Sequence, residues 1–127
     1  MKVYDTSGTL HNWTPKSNPR FNKSSYHASA LEVLKKIYPL DSTLEEVSVP
    51  GEHLFLDIFI PSRKLVVEVN GEQHYKFNSH FYESENAFYQ AKQRDLVKVE
   101  WCKLNGFDLV VLDFNNNDKW EQLILER

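Results

Sequence analysis

The spacing of apolar side chains changes along the chain and predicts where helices and strands lie. Residues 26–38 (YHASALEVLKKIY) place Ala30, Leu31, Leu34 and Ile37 at spacings of three and four, which is typical of one buried helix face. Elsewhere, short apolar runs bounded by Pro, Gly and charged residues indicate strands instead. We expect strands at 44–49, 53–61, 64–70 and 107–114.

Two more helices complete the predicted architecture. A long helix covers 83–105 and ends at Gly106, a residue type that readily takes the left-handed conformation found after helices. A short closing helix covers 118–126. A short turn at 62–64 predicts an antiparallel hairpin, and the last strand joins the same sheet after a helical crossover. We therefore expect an α/β domain of order α-β-β-β-α-β-α, with a central mixed four-stranded sheet flanked by helices.

The N-terminal residues show no such periodicity. They are rich in Ser, Asn, Thr and Pro, so we expect a basic, polar arm over 1–24 and a single domain over 25–127, with Trp13 and Phe21 as candidate anchors. Charge is also uneven: residues 1–38 hold six Lys or Arg against two acidic side chains, whereas the remainder holds nine against sixteen. This balance is equally typical of a basic surface that meets phosphate and of a solvated tail beside an acidic domain.

Composition argues against several classes of protein. The single cysteine, Cys102, allows no disulfide within the chain and favours a reducing compartment, and its helical surroundings predict a packed thiol rather than a nucleophile. No apolar run reaches the roughly 18–20 residues of a membrane-spanning helix, and the N-terminus lacks a signal-peptide core. We expect a soluble, cytoplasmic protein with no membrane partner, or one in the host cytoplasm if a phage encodes it.

One carboxylate interrupts each strand of the predicted hairpin. Asp57 lies in HLFLDIFIP and Glu68 in KLVVEVN, and both have apolar neighbours on either side. With the turn near 62–63, the two residues lie at comparable heights on adjacent strands. Adjacent carboxylates repel each other, and a divalent metal such as Mg²⁺ removes that cost. The pattern predicts a metal site, although both side chains would instead point to solvent if the strands were half exposed.

Two further candidate groups lie outside the hairpin. Glu32 lies beside the apolar stripe of the first helix, where it either reaches over the sheet or is an ordinary solvated glutamate. His74 follows Glu68 by six residues, past the Asn70-Gly71 turn, and an imidazole near a scissile phosphate can act as an acid or a base. Taken singly, a loop histidine is more often inert.

Asp95 and Lys98 are three residues apart on the long helix and share a face with Ala91 and Cys102. Because those two neighbours are small and buriable, we expect the pair either inside the domain or as a simple surface ion pair. The sequence has no CxxC or HExxH motif, no glycine-rich phosphate loop and no GxSxG elbow. Metal-assisted hydrolysis is therefore the reaction class that these residues allow.

Taken together, these stretches resemble the PD-(D/E)XK nuclease superfamily, whose members share the restriction-endonuclease-like fold. Within it they are similar to the group related to the very-short-patch repair endonuclease, which includes phage and mobile-element nucleases and the EDxHD homing endonucleases. The resemblance covers about residues 26–114. It is carried by the stretches SALEVLKKI, LDIFIP, VEVNGEQH, RDLVK and NGFDLVVLDF.

The resemblance implies roles for the candidate residues. Asp57 and Glu68, assisted by the Val69 carbonyl, would hold Mg²⁺ or Mn²⁺. Glu32 would complete the site through water or a second ion. His74 would activate the attacking water or protonate the leaving oxygen.

Supporting positions follow from the same resemblance. Gln73 would orient water or phosphate, and Asp95 and Lys98 would form a supporting shell in which Lys98 stabilises negative charge. At position 70 the superfamily carries a lysine and the narrower group often an aspartate, whereas this chain has Asn70. An amide forms hydrogen bonds but has no ammonium charge, so that task would pass to His74 or Lys98.

The sequence thus predicts a Mg²⁺- or Mn²⁺-dependent endonuclease that cleaves DNA. The same residues would also allow cleavage of RNA. The arm would contact the backbone through Lys16, Arg20 and Lys23, or stack on bases through Trp13 and Phe21. A monomer would tend to nick, and a homodimer would cut both strands. The alternative, favoured by Asn70, is a catalytically silent nuclease-fold module that binds nucleic acid or protein.

Overall fold

A computed structural model of the chain describes residues 1–71 and 83–127. Within these two ranges it contains six strands and three α-helices. The strands are β1 (Lys2–Tyr4), β2 (Leu10–Asn12), β3 (Leu44–Ser48), β4 (Phe55–Ile60), β5 (Leu65–Asn70) and β6 (Asp108–Asp113). The helices are α1 (Ser25–Ile37), α2 (Glu85–Asn105) and α3 (Trp120–Leu125).

Strands β3, β4, β5 and β6 form one sheet in that spatial order. The β3–β4 and β4–β5 pairs are antiparallel, whereas β6 lies parallel to β5. A parallel neighbour requires a crossover connection, and α2 provides it. The predicted α/β class, with a mixed four-stranded sheet flanked by helices, is therefore confirmed. Each predicted helix or strand ends within two residues of the observed one.

The helix ends follow from the residues that occupy them. Ser24 is the N-cap of α1, and its side chain accepts from the His27 amide. Ser84 caps α2 by accepting from the Ala87 amide. Gly106 ends α2 with a φ of 71°, as predicted. None of the helices in the described ranges combines the length and the apolar content needed to cross a membrane.

The two faces of the sheet pack against different helices, because successive side chains of a strand point in opposite directions. Val67 belongs to the apolar cluster that contains Leu34 of α1 and Ile124 of α3. Its neighbour Val66 belongs to the cluster that contains Trp101 of α2. Helices α1 and α3 therefore cover one face and α2 covers the other, so a group between the strands is enclosed from both sides.

The start of the N-terminal segment is a hairpin rather than an arm without regular structure. β1 and β2 pair through Val3 and His11, and Val3 is only 1% exposed. Trp13 follows the hairpin and is 7% exposed. Its ring stacks on Phe59 with centroids 5.5 Å apart and meets Trp101 edge-on at 5.6 Å. The prediction that Trp13 stacks on nucleic-acid bases is wrong, because this ring is part of the core.

Phe21, the other candidate anchor, is 100% exposed, so it does not anchor the segment to the described part of the chain. Residues 14–24 form no helix or strand in the described chain, which agrees with a polar stretch before α1. The hairpin escapes a search for periodicity because its strands are three residues long. A strand this short shows too little alternation to be recognised.

The carboxylate of Asp5 holds the turn between β1 and β2 and lies beside the β3–β4 turn. Asp5 accepts from the amides of Ser7 and Thr9 at 3.0 and 2.9 Å and from the Ser7 hydroxyl at 2.6 Å. Its other oxygen lies 2.8 Å from Nε2 of His11. His11 first, and then these hydrogen bonds, hold the pKa of Asp5 well below its usual range. The backbone of Gly51 passes directly beside this pair.

Substituting Gly51 by alanine is expected to destabilise the protein more than substituting Gly8. Both glycines have positive φ angles, 76° and 92°, and an alanine there carries a strain of about 1–2 kcal/mol. A β-carbon at Gly51 would also lie 2.5 Å from Oδ2 of Asp5 and 2.7 Å from Nε2 of His11, whereas at Gly8 nothing in the described chain lies within 4 Å. Urea unfolding should show an extra loss of more than about 1 kcal/mol for Gly51→Ala. Equal losses would contradict the close contact.

Candidate active site

Three carboxylates lie in one row across β3, β4 and β5. In the register of β3 and β4, Glu46 lies opposite Asp57. In the register of β4 and β5, Asp57 lies opposite Glu68, one residue beyond the last paired residues, Ile58 and Val67. The structure therefore brings Asp57 and Glu68 side by side, and it adds a third acid to the row.

Asp57 and Glu68 are each held by the backbone of the neighbouring strand. The Asp57 amide donates to Oε2 of Glu68 at 2.8 Å, and the Val69 amide donates to Oδ2 of Asp57 at 2.9 Å. These side-chain acceptors take the place of backbone carbonyls where β4 and β5 stop pairing. We call this pair of reciprocal hydrogen bonds the carboxylate brace. It fixes the direction of both carboxylates and leaves neither amide unsatisfied.

A lysine from α2 neutralises the carboxylate brace. Nζ of Lys98 donates to Oε1 of Glu68, and the two side chains are 14% and 10% exposed. Burial, followed by the charge of Asp57, raises the pKa of Glu68 well above its usual range, and Lys98 opposes that shift. Burial alone would lower the pKa of Lys98, but the charges of Glu68 and Asp57 outweigh it and raise that pKa. Lys98 is thus a charged counterion for the two acids.

The carboxylate brace opens into a cavity of about 550 Å³. The segment before α1 and the first turn of α1 line one part of it, and the middle of α2, from Ala91 to Lys98, lines another. Because these helices cover opposite faces of the sheet, the cavity is bounded from both faces at the point where β4 and β5 cease to pair. Its basic lining residues are Arg20, Lys23, Arg94 and Lys98, and its acidic ones are Glu46, Asp57, Glu68 and Asp95.

The inward face of α2 follows the predicted spacing. Ala91, Asp95 and Lys98 line the cavity, and Cys102 continues the same face into the core, where it is buried. Of the two alternatives for Asp95 and Lys98, the inward position is the one observed. Burial, with a further contribution from Glu68, raises the pKa of the Cys102 thiol to about 12. The thiol is therefore protonated and packed, as predicted.

Glu46 is an acid at the cavity that the sequence pattern did not reveal. Its φ of 49° is left-handed, which is uncommon for a residue other than glycine. Burial, followed by the charge of Asp57, raises the pKa of Glu46, and Arg20, with its Nε 3.5 Å from Oε1, opposes this shift. Glu46 could have been identified from the sequence by counting residues from the β3–β4 turn. Glu46 and Asp57 lie the same number of residues from that turn, on either side of it, so they face each other across the two strands.

Other predicted site residues lie away from the cavity or outside the described chain. Glu32 is exposed and does not line the cavity, because its helix position is about 100° from that of the buried Leu31. The expectation that Glu32 reaches over the sheet is therefore wrong. Asn70 is half-buried at the end of β5 and is not a lining residue. Gln73 and His74 lie outside the described residues.

The basic residues expected to contact nucleic acid divide into two groups. Arg20 and Lys23 line the cavity, where Arg20 pairs with Glu46 and Nζ of Lys23 lies 3.2 Å from Oε1 of Glu45. Lys16 is exposed and lines a separate cleft of about 270 Å³ beside Trp13. The candidate site therefore includes the end of the predicted arm and not its middle.

A divalent cation at the carboxylate brace would keep most of its water, because both oxygens of Glu68 already accept hydrogen bonds, Oε2 from the Asp57 amide and Oε1 from Lys98. Within residues 1–71 and 83–127, no group of three or more His, Cys, Asp or Glu side chains is arranged to hold a metal. Mg²⁺, however, is commonly bound by one or two carboxylates together with waters and substrate oxygens. Asp57 and Glu68 supply two carboxylates, and Oδ1 of Asp57 accepts no hydrogen bond from the described part of the chain. Val69, whose carbonyl is the third donor that the resemblance implies, also lines the cavity.

Comparisons with known proteins add viral relatives. No protein-family model matches the chain, and no solved structure matches it. It is 38% identical over 66 residues to "Uncharacterized protein 307L" of Invertebrate iridescent virus 6, and 36% identical over 66 residues to "Uncharacterized protein 033L" of Invertebrate iridescent virus 3. Each match covers 52% of this chain and 34% of the viral protein, so the chain spans about a third of the length of these relatives. Viral relatives agree with the expected phage- or mobile-element-like character.

Replacing Lys98 with methionine is expected to destabilise the protein by about 3–5 kcal/mol near neutral pH, because it leaves buried acids without their counterion. It also removes the charge that opposes the raised pKa of Glu68. In both proteins the folded state holds a proton on Glu68 that the unfolded state releases, so the free energy of unfolding falls as pH rises from about 4 to 8. In Lys98→Met the pKa of Glu68 is higher still, so the fall continues to higher pH, and urea unfolding of the variant and the wild type at pH 5 and pH 9 measures this difference.

Glu100→Gln is the matched control for Lys98→Met, because Glu100 is an exposed residue of the same helix. Its unfolding free energy should stay close to that of the wild type at both pH values. A loss in Lys98→Met that is the same at both values would show that Lys98 contributes packing rather than charge.

Proposed function

We propose that this protein is a divalent-metal-dependent endonuclease that hydrolyses phosphodiester bonds in DNA. The carboxylate brace is the observation that supports the proposal most. It holds two acids from adjacent strands side by side, with a buried ammonium on one of them, at a cavity that further basic side chains line. A purely structural ion pair needs no such cavity, whereas a phosphodiester needs both space and positive charge.

The element order supports a restriction-endonuclease-like fold. A helix precedes an antiparallel meander of three strands, and a second helix crosses over to a fourth strand that is parallel to the third. In the PD-(D/E)XK superfamily, which the chain resembles, the two metal-binding acids lie on the second and third strands of this meander. Asp57 and Glu68 occupy those strands here. The proposed fold and the proposed site therefore agree with each other.

Asp57, Glu68 and the Val69 carbonyl are the groups that would hold Mg²⁺ or Mn²⁺. Such an ion supplies positive charge to phosphate oxygens and lowers the pKa of water bound to it. The chain contributes preorganisation, because the brace fixes both carboxylates before substrate arrives. Lys98 would place an ammonium near the reacting phosphate. It would thereby replace the lysine that the superfamily carries at position 70, where this chain has the uncharged Asn70.

Arg20, Lys23 and Arg94 are the side chains that would contact phosphates beside the reacting one. All three line the cavity. The side chain of Arg20 is 72% exposed, so a nucleic-acid strand at the cavity can contact it directly. Contacts of this kind read the backbone and not the base sequence. They would serve RNA as well as DNA, and a direct comparison of both substrates belongs in the first assay.

The alternative is a catalytically silent module of the same fold that binds nucleic acid or protein. The ion pair between Lys98 and Glu68 favours it, because this pair neutralises the more buried acid without a metal. Titration calorimetry with Mn²⁺ distinguishes the two functions. A silent module need bind no metal, whereas the proposed nuclease must bind one through Asp57 and Glu68.

Asp57→Asn and Glu68→Gln should each lower metal-dependent DNA cleavage by more than about 100-fold. Both substitutions keep an oxygen that can accept the amide of the carboxylate brace, but they remove the charge that would hold the metal. The assay follows conversion of supercoiled plasmid to nicked and linear forms in Mg²⁺, in Mn²⁺ and in EDTA.

Glu100→Gln serves again as the matched control and should cleave at the wild-type rate. Unfolding temperatures of all variants separate lost chemistry from lost folding. If the wild type yields no metal-dependent product from duplex, branched or single-stranded DNA or from RNA, the nuclease proposal fails and the silent module remains.

Arg20→Ala should weaken DNA binding more than Lys16→Ala. Arg20 lines the cavity of the carboxylate brace, whereas Lys16 lies at the separate cleft. The slope of log K against log salt concentration reports how many phosphates the protein contacts, and removing one contact should reduce the size of that slope by about one. Fluorescence anisotropy with a labelled duplex in EDTA, over a range of salt, measures both quantities. Equal effects of the two substitutions would contradict the placement of DNA at the cavity.

A further inference from the structure

A second buried ionic group lies at the same cavity, outside the carboxylate brace. Nε2 of His27 lies 3.1 Å from Oε1 of Glu45, and Nζ of Lys23 lies 3.2 Å from the same oxygen. His27 and Glu45 are each only 9% exposed. His27 and Lys23 both line the cavity. Neither His27 nor Glu45 has a role in the site as described so far.

His27 is held at its backbone and at its ring. Its amide donates to Oγ of Ser24 at 3.1 Å, which fixes it in the first turn of α1. Glu45 accepts from Nε2, and a carboxylate in this position sets the tautomer and the ring orientation. Nδ1 makes no hydrogen bond with any residue in the described ranges. His27 lines the cavity, and Nδ1 is therefore the ring nitrogen that we assign to a molecule bound there.

We propose that His27 is the general acid of phosphodiester cleavage and that Glu45 is its positioning residue, an assignment that rests on the proposed nuclease function. His27 comes from the helix on one face of the sheet, and Lys98 comes from the helix on the other. In-line displacement at phosphorus places the attacking and leaving oxygens on opposite sides, so it needs separate groups for each. Two helices on opposite faces can supply them.

The step conserves protons and electrons. Water attacks phosphorus, and the bond between phosphorus and the leaving oxygen breaks. That oxygen takes the electron pair of the bond together with the proton of Nδ1, which gives a free hydroxyl and a phosphate monoester. The attacking water loses its proton to solvent, and His27 regains a proton from solvent after the products leave. Glu45 accepts from Nε2 throughout and stabilises the imidazolium before the transfer.

His27→Gln separates this role from a structural one. A structural His27 would only donate to Glu45, and the side-chain amide of glutamine can still do so. Lys23 also remains beside Glu45. Glutamine, however, has no proton to give to a leaving oxygen. The variant should therefore unfold at a temperature close to that of the wild type while losing the chemical step.

The test uses a DNA duplex in which the leaving oxygen at the mapped cleavage position is replaced by sulfur. A thiolate departs without a proton, so a missing general acid no longer matters. In Mg²⁺, His27→Gln should cleave the oxygen duplex at least about 100-fold more slowly than the wild type, and the sulfur duplex within about threefold. Glu45→Gln should show the same rescue after a loss of about 10-fold. Lys35→Gln, at an exposed position of α1, should match the wild type on both duplexes.

Each other outcome overturns a defined part of the proposal. Equal losses of His27→Gln on both duplexes, or no loss on either, would overturn the assignment of His27 and leave the nuclease proposal in place. A wild type that cleaves no oxygen duplex would overturn the nuclease proposal, and the assignment with it. If His27→Gln fails to fold, Glu45→Gln replaces it, and absence of sulfur rescue there would overturn the assignment.

Discussion

The amides of Asp57 and Val69 donate to side chains instead of to backbone carbonyls, and the candidate site depends on that exchange. A sheet that parts in its interior leaves backbone groups unpaired, and each buried one costs about 1–3 kcal/mol if nothing satisfies it. The carboxylate brace satisfies both amides at the point of parting. The strands can therefore separate above Ile58 and Val67, and the cavity lies where they do so.

Bringing acids into this gap creates a second requirement, because buried carboxylates need counterions. Three of the four acids contributed by the three antiparallel strands are paired with a basic group from another part of the chain, whereas the fourth, Asp57, accepts from the Val69 amide. The pairs are Glu68 with Lys98, Glu46 with Arg20, and Glu45 with Lys23 and His27. The cavity is thus strongly polar while its charges are largely balanced. A phosphate bound there would compete with these carboxylates for the same cations.

The two helices that border the cavity are placed by apolar packing on opposite faces of the sheet. α2 must cross over to deliver β6 parallel to β5, and this crossover carries Lys98 over Glu68. α1 packs on the other face, and its capped first turn carries His27 to Glu45. The charged contacts of the site are therefore consequences of helix packing, which local sequence specifies only in part.

The sequence by itself determined the three helices, the four strands of the main sheet and the pairing of Asp57 with Glu68, because period and a short turn are local properties. It also determined that Lys98 shares a helix face with the buried Cys102. Only the tertiary structure decided whether Asp95 and Lys98 on that face point inward or into solvent. It also decided that Trp13 packs in the core and that Glu45 contacts His27. Those contacts join residues on different elements, 18 residues apart for Glu45 with His27 and 30 apart for Lys98 with Glu68. Their formation depends on how the helices lie on the sheet, and a one-dimensional pattern carries no such information.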